Sequence, residues 1–175
     1  MTFWTVFIAG TIASAFFSWK FSVKARRYHG IARFFAFESI LALFLLNVRF
    51  WFEEPFSPFH VLAWIFLTAS LVLAVHGAWF LLKLGKPHGQ VENTTRLVVR
   101  GAYKFIRHPL YASLILLGCG IFLKRVTLAT SALALLDAGA VFLTARIEEK
   151  EMAGRFGAEY EAYRAGTKMF IPFII

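Results

Sequence analysis

Cysteine and acidic residues are scarce in this 175-residue chain, which contains one cysteine, Cys119, and only 10 Asp and Glu residues. A single thiol excludes an intramolecular disulfide framework and a cysteine-based zinc site, and we expect no metal centre. Charged residues make up 17% of the chain and hydrophobic residues 59%, which is not the composition of an ordinary soluble domain. We therefore expect lipid rather than water to surround most of the chain.

The chain also lacks the glycine-rich turn of a soluble nucleotide-binding fold. No predicted strand leads into a G-x-G-x-x-G motif, and Gly118 and Gly120 lie inside an apolar run, where helix packing explains them better. The net charge of +9 does not indicate a nucleic-acid partner, because the basic residues fall between hydrophobic runs instead of sharing one face with stacking aromatic residues. Any nucleotide cofactor must therefore be bound by helices.

What is present is a series of five hydrophobic runs, at about 2–19, 33–52, 59–82, 109–123 and 126–145. A spanning helix needs about 20 apolar residues. We predict an all-α integral membrane protein, one membrane domain over 1–175, with five transmembrane helices. Residues 1–82 hold three spans, and 83–175 hold a polar loop, a terminal helical hairpin and a C-terminal amphipathic helix.

The distribution of basic residues predicts the direction of these spans. Of the 19 Lys and Arg residues, 16 lie in the segments 20–33, 83–107 and 146–168. Only Arg49, Lys124 and Arg125 lie in the connections that would face the opposite side. Because basic loops stay cytoplasmic, we expect the N-terminus outside and the C-terminus in the cytoplasm.

Two polar clusters flank the predicted hairpin on that cytoplasmic side. The first is Arg100–Tyr111 and the second is Arg146–Glu151, directly where the fifth run ends. The fourth run has about 15 residues, or about 22 Å of helix. We therefore expect either that the hairpin tilts and thins the bilayer or that the start of the run lies below the headgroups. The antiparallel hairpin should bring both clusters together at a boundary where water is restricted.

A plainer interpretation of both clusters is membrane anchoring. Met152, Phe156, Tyr160 and Tyr163 follow helical spacing, which predicts one amphipathic helix lying along the membrane surface. In that case the nearby glutamates would only complement a helix N-terminus, and the basic loop would only snorkel.

The order of motifs favours chemistry instead. The pattern is Gly101-x-Tyr103-(x)3-Arg107-His108-Pro109-x-Tyr111, then Arg146-x-Glu148-Glu149, then Phe156-Gly157-x-Glu159-Tyr160-x-x-Tyr163, and finally Ile171-Pro172. It covers about 97 to the end and resembles the integral membrane methyltransferases of the isoprenylcysteine carboxyl methyltransferase and phospholipid methyltransferase type.

That resemblance implies the cofactor S-adenosylmethionine, held between the hairpin and the C-terminal helix, with 83–175 as the cofactor-binding part. It implies a lipid-like or prenylated small-molecule acceptor that arrives through the membrane lipids. The implied cofactor contacts are Gly101, Tyr103, Arg107, His108, Pro109, Tyr111, Glu148 and Glu149.

Physical roles can be assigned to several of these residues. Arg107, or the backbone donors after Pro109, would hold the methionine carboxylate, and a glutamate would hold the ribose hydroxyls or the ammonium. Tyr103 or Tyr111 would lie beside the sulfonium. His108 and Glu148 are the candidate catalytic residues, because an amine or thiol acceptor needs a base whereas a carboxylate does not.

Ionisable residues inside the runs are expected to have partners, because an unpaired charge there costs about 2.5–3.5 kcal/mol on insertion scales. Asp137 would pair with His76 or stay neutral, and Arg49 would snorkel. Glu38 and His76 are weaker candidates for substrate contacts.

Two other functions remain open from the sequence. One is an NADPH-dependent membrane reductase of sterol-reductase type, and the other is a non-catalytic membrane scaffold. The short chain indicates a prokaryotic cytoplasmic membrane, where the acceptor would be a membrane lipid or a small hydrophobic thiol, amine or carboxylate. The oligomeric state stays open.

Overall fold

A computed structural model of the chain describes residues 3–23, 29–87 and 94–174, and all regular elements within them are helical. The six α-helices are α1 (Phe3–Ser18), α2 (His29–Asn47), α3 (Pro58–Gly85), α4 (Pro109–Phe122), α5 (Leu128–Phe156) and α6 (Ala158–Gly166). Trp19–Val23 forms a π-helical turn, and Val48–Phe50 and Gly101–Lys104 form 3₁₀ turns. The predicted all-α class is confirmed for these residues.

Three of these segments are long and apolar enough to cross a membrane. They are α2 with its 3₁₀ extension (His29–Phe50), α3 and α5, whereas α1 and α4 have only 16 and 14 residues. The integral membrane character is thus supported directly, while five spans, their direction and the single-domain division stay predictions. Residues 24–28 and 88–93, within two of the basic segments, lie outside the described residues.

Many large apolar side chains of this protein are exposed, and several polar side chains are buried. On α3, Ile65 and Leu71 are 57% and 65% exposed, whereas the polar Asn47 of α2 is 1% exposed. Asn47 Nδ2 donates a hydrogen bond of 2.8 Å to the Ile121 carbonyl of α4. An apolar exterior around a bonded polar interior is the arrangement that hydrocarbon solvent favours.

The most extensive packing joins α2 to α5 and α3 to α4. Small side chains allow close contact in the shared core, where Ala36 of α2 and Ala145 of α5 are fully buried beside Val141. Met169 and Phe170, which follow α6, enter the same core. The C-terminal segment is therefore part of the helical body.

Two predicted boundaries were wrong. The helix that begins at Leu128 does not end near Ala145 but continues to Phe156. The hydrophobic run ends where the surrounding medium changes, but the helix continues because Arg, Glu and Lys are good helix formers. The anchoring interpretation required Glu148 and Glu149 to lie at a helix N-terminus. Both residues lie instead near the C-terminal end of a long helix. The predicted single C-terminal helix is broken at Gly157, whose φ of 54° ends α5 and starts α6 in a new direction.

Candidate functional site

The loop that carries Arg107 and His108 is fixed by backbone pairing with the C-terminal segment. Lys168 N–H donates to the Phe105 carbonyl at 3.1 Å, and Arg107 N–H donates to the Lys168 carbonyl at 2.7 Å. His108 N–H donates to the Met169 carbonyl at 3.1 Å. This short parallel bridge places the two motif residues against α5, which the sequence spacing did not reveal.

Arg107 joins three parts of the chain. Its Nε donates to Glu149 Oε1 at 2.6 Å, and Nη1 donates to the carbonyls of Thr167 and, at 3.3 Å, Arg164. Both side chains of the ion pair are less than 10% exposed. The predicted convergence of the two clusters is therefore found, and the buried pair is stable only with both partners present.

His108 lies at the start of α4, directly before Pro109 at the first helical position. Its Nδ1 is 3.9 Å from Glu148 Oε2, and its Nε2 is 3.5 Å from Glu149 Oε1. The Nε2 contact lacks hydrogen-bonding geometry, so this buried atom has an ion-pair contact but no hydrogen-bond partner among the described residues. The ring stacks on Tyr111 with centroids 5.5 Å apart. An imidazole beside two carboxylates is suited to accept a proton.

Arg107, His108, Tyr111 and Glu148 line a cavity of about 380 Å³, near the lower end of the ~300–1,000 Å³ typical of small-molecule sites. We call these four side chains the floor of the cavity. Its lining combines apolar side chains with charged and hydrogen-bonding ones. The apolar residues are Phe17, Phe37, Ala74, Leu81, Leu97, Val98, Leu110, Leu114 and Met152. The polar residues are Arg33, Thr94, Tyr103, Arg107, His108, Tyr111, Ser113, Glu148, Tyr160 and Tyr163.

Four tyrosines line this cavity. The Tyr163 hydroxyl donates to the Tyr103 carbonyl at 2.7 Å, whereas the buried Tyr160 hydroxyl has no hydrogen-bond partner in the described part of the chain. Burial raises the pKa of Tyr103 well above its ordinary value, and the charge of Glu148 raises it further. Burial likewise raises the pKa of Tyr160 and Tyr163. These three phenols stay neutral donors at physiological pH.

The remaining predicted site residues lie outside the cavity lining. Glu149 and Pro109 lie behind the floor, where they support Arg107 and the start of α4. Gly101, with φ of 62°, approaches α3, because an added Cβ would lie 2.6 Å from the Phe80 ring and 2.9 Å from His76. Its close approach is to this helix and not to the cavity.

Glu38 and His76 do not line the cavity either. Glu38 accepts hydrogen bonds from Thr11, at 2.6 Å, and from Ser14, and thereby joins α2 to α1. His76 packs on Phe80 at 4.7 Å between ring centroids and faces an open apolar groove. Neither position favours the substrate role that the sequence suggested.

Of the two expectations for Asp137, pairing with His76 is not met among the described residues. Asp137 is 1% exposed on α5 and lies against Gly118 of α4, and no hydrogen bond to His76 is found among the described residues. The two residues lie on different helix pairs, a separation that hydropathy could not predict.

Sequence reasoning missed Arg33 as a cavity residue. It belongs to α2, is 5% exposed and lies in the cavity lining beside the Tyr111 phenol. A cation at the start of an otherwise apolar helix was the available signal, but it was interpreted as the edge of a span.

Comparison with known proteins identifies the family of the chain. Residues 58–159, more than half of the chain, match the family model of phospholipid methyltransferases. The chain is also similar to a methanethiol S-methyltransferase of Crocosphaera subtropica, with 27% identity over 123 residues, which cover 68% of this chain and 47% of that protein. The chain thus spans about half the length of this curated relative. With the family match extending over α3, α4 and α5, the chain belongs to the phospholipid methyltransferase family of integral membrane methyltransferases.

Proposed function

We propose that this protein transfers a methyl group from S-adenosylmethionine to a small hydrophobic acceptor that enters from the lipid. The observation that carries the proposal is a cavity whose lining combines His108, Glu148 and four tyrosines with apolar side chains. A polar cofactor and an apolar acceptor need both kinds of side chain. The name of the curated relative favours sulfur as the acceptor atom.

The residues of the cavity suit this cofactor. The buried His108 Nε2 and Tyr160 hydroxyl have no hydrogen-bond partner among the described residues, so a ligand with hydrogen-bonding groups would satisfy them. The Glu148 carboxylate can accept from ribose hydroxyls or an ammonium, and the tyrosine rings suit a sulfonium. When bound, S-adenosylmethionine supplies an electrophilic methyl group on a positively charged sulfur.

The chain itself contributes positioning, exclusion of water and proton transfer. The bridge between residues 105–108 and 167–169 holds the floor, and α6 contributes Tyr160 and Tyr163 to the cavity lining. His108 takes the proton of a neutral thiol acceptor, and Glu148 and Glu149 stabilise the resulting imidazolium. Orientation of the acceptor against the methyl group accounts for most of the remaining acceleration.

Location follows from the same proposal. Arg107 and Glu148, which line the cavity, belong to basic segments of the sequence, and the positive-inside rule assigns those segments to the cytoplasm. We place the protein in a prokaryotic cytoplasmic membrane, with membrane lipids as its surroundings and its acceptor route.

Thermal unfolding of the full chain in detergent, with S-adenosylhomocysteine or NADPH, tests the cofactor. At ligand concentrations about 100-fold above Kd, S-adenosylhomocysteine should stabilise the protein by about 2.7 kcal/mol, and NADPH should not. Stabilisation by NADPH alone would support the reductase, and no shift with either ligand would support a scaffold.

Variants of the floor then locate the site. Glu148→Gln should weaken S-adenosylhomocysteine binding by about 10- to 150-fold, as expected for loss of a hydrogen bond worth ~1.5–3 kcal/mol to a charged group. The exposed Glu159→Gln is the matched control and should bind as wild type. Equal binding by both variants would contradict the assignment of Glu148. Mass spectrometry of membranes incubated with labelled methyl donor would identify the acceptor.

A further inference from the structure

Arg33 introduces a positive charge into the cavity from outside the family-matched residues 58–159. It lies on α2, near the π-helical turn that follows α1, and is 5% exposed. A buried guanidinium is costly unless its surroundings compensate for it, so its position calls for a physical explanation.

The surroundings hold this side chain in one orientation. Arg33 Nη2 donates to the buried Ser22 Oγ of the π-helical turn at 2.8 Å. This turn approaches α2 so closely at Gly30 that an added Cβ would lie 2.1 Å from Ser22 Cβ. The Phe17 and Phe37 rings lie 5.7 and 6.0 Å from Arg33 Cζ, within range of cation–π attraction. The guanidinium is therefore preorganised rather than snorkelling.

The two arginines of the cavity have different surroundings. Arg107 donates hydrogen bonds to the Glu149 carboxylate and to two carbonyls near the C-terminus, so these bonds hold the C-terminal segment against α5. Arg33 instead lies in the cavity lining beside the Tyr111 phenol, and Tyr111 in turn neighbours Glu148 and stacks on the imidazole of His108. Its charge is thus directed at the part of the cavity where proton transfer is proposed.

We propose that Arg33 holds the methyl acceptor in its anionic form, a thiolate, and thereby sets the preference for sulfur. This inference rests on the proposed function and specifies its acceptor. The thiolate sulfur forms a bond to the methyl carbon while the bond from that carbon to the sulfonium sulfur breaks. The broken bond's electron pair stays on the departing sulfur, which leaves two neutral thioethers, and the thiol proton has already gone to His108.

The charges of the cavity favour an anionic acceptor over an amine. Arg33 places a positive charge in the cavity lining, whereas the charge of Arg107 is already compensated by Glu149. A thiolate is attracted to the Arg33 guanidinium and to the sulfonium, and methyl transfer between the two sulfurs removes both sulfur charges from a medium of low dielectric constant, while the proton on His108 remains beside Glu148. Methylation of a neutral amine would instead leave an ammonium ion buried near two arginines.

The test measures methylation of 1-octanethiol and 1-octylamine by wild type, Arg33→Gln and Arg33→Lys in detergent, with S-adenosylhomocysteine binding measured on the same samples. The matched control is Arg49→Gln, which removes another guanidinium stacked on a ring, 4.6 Å from the Phe50 centroid. Wild type and Arg49→Gln should methylate octanethiol in preference to octylamine.

For Arg33→Gln we expect near-normal S-adenosylhomocysteine binding and a loss of about 10- to 150-fold in kcat/KM for octanethiol, with partial recovery in Arg33→Lys. The acidic limb of its kcat–pH profile should move upward by about one to three pH units, because a nearby positive charge favours the thiolate. A residue with only a packing role would lower activity without moving this limb.

Several outcomes overturn the role of Arg33: parallel loss of S-adenosylhomocysteine binding in Arg33→Gln, an unmoved kcat–pH profile, or preference of wild type for octylamine. A failure of wild type to bind S-adenosylhomocysteine overturns the proposed function itself. Normal cofactor binding with an unaltered acceptor step in Arg33→Gln overturns only the present inference.

Discussion

The ion pair between Arg107 and Glu149 offers a quantitative test of how the site is built. The Nε to Oε1 distance is 2.6 Å, both side chains are buried, and the same guanidinium also bonds the carbonyls of Thr167 and Arg164. Arg107→Met removes the cation and leaves Glu149 buried without its main partner. Loss of one member of a buried pair costs about 3–5 kcal/mol.

Thermal unfolding in detergent measures this cost. For a domain of this size, 1 kcal/mol corresponds to about 2–4 °C in Tm, so Arg107→Met should unfold about 6–20 °C below wild type. Adding Glu149→Gln removes the uncompensated charge and should restore part of the loss. The double-mutant cycle should therefore yield a coupling energy of at least about 1 kcal/mol between the two positions.

Arg164→Met is the control for removing an arginine near Glu149. Its guanidinium is 44% exposed and 3.9 Å from Glu149 Oε2, so its removal should cost less than about 1 kcal/mol. A Tm for Arg107→Met within about 2 °C of wild type, or additive losses in the double variant, would refute the argument that the buried pair holds the C-terminal segment.

Three further predictions concern the glycine and tyrosines around the site. Gly101→Ala places a Cβ 2.6 Å from the Phe80 ring of α3 at a φ of 62°, so it should lower the free energy of unfolding by at least about 1–2 kcal/mol. The control Gly139→Ala, with nothing within 4 Å of the added Cβ, should be neutral or stabilising in the same thermal melts. Tyr163→Phe loses the hydrogen bond to Tyr103 and should cost about 0.5–1.5 kcal/mol, while Tyr160→Phe should be nearly neutral without ligand but weaken S-adenosylhomocysteine binding in calorimetry. Because burial raises the pKa of Tyr103 above its ordinary 10.0, the contribution of the neutral phenol to stability is complete below pH 10 and is lost as the pH rises further. Tyr103→Phe should therefore flatten the fall in unfolding free energy above pH 10, and an unchanged slope would contradict this.

Much of the site was predictable because its residues are close in sequence to an antiparallel hairpin. The stretch from Arg107 to Tyr111 begins α4, and Glu148 and Glu149 lie near the end of α5. Two antiparallel helices with a short connection must bring these ends together. The observed contact between Arg107 and Glu149 confirms that reasoning from topology.

Other features depended on contacts between residues that are remote in sequence. Hydropathy ended the fifth span near Ala145, although the helix continues to Phe156, because hydropathy reports the surrounding medium and not the backbone conformation. Glu38 and His76 were suggested by charge and depth alone, yet Glu38 bonds the remote Thr11 of α1, and His76 packs on Phe80 of its own helix α3 and not in the cavity. Which helix each one faces depends on rotation about the helix axis, and nearly uniform hydrophobicity does not specify that rotation.

The sequence by itself determined the medium, the helical class, the family resemblance and the pairing of the two polar clusters, since composition, periodicity and short loops act locally along the chain. Only the tertiary structure decided that Arg107 anchors the C-terminal segment while Arg33 enters the cavity. The physical reason is that every arginine carries the same charge in the sequence. Its function depends on which carboxylates, carbonyls and rings the packed helices place within about 4 Å of it.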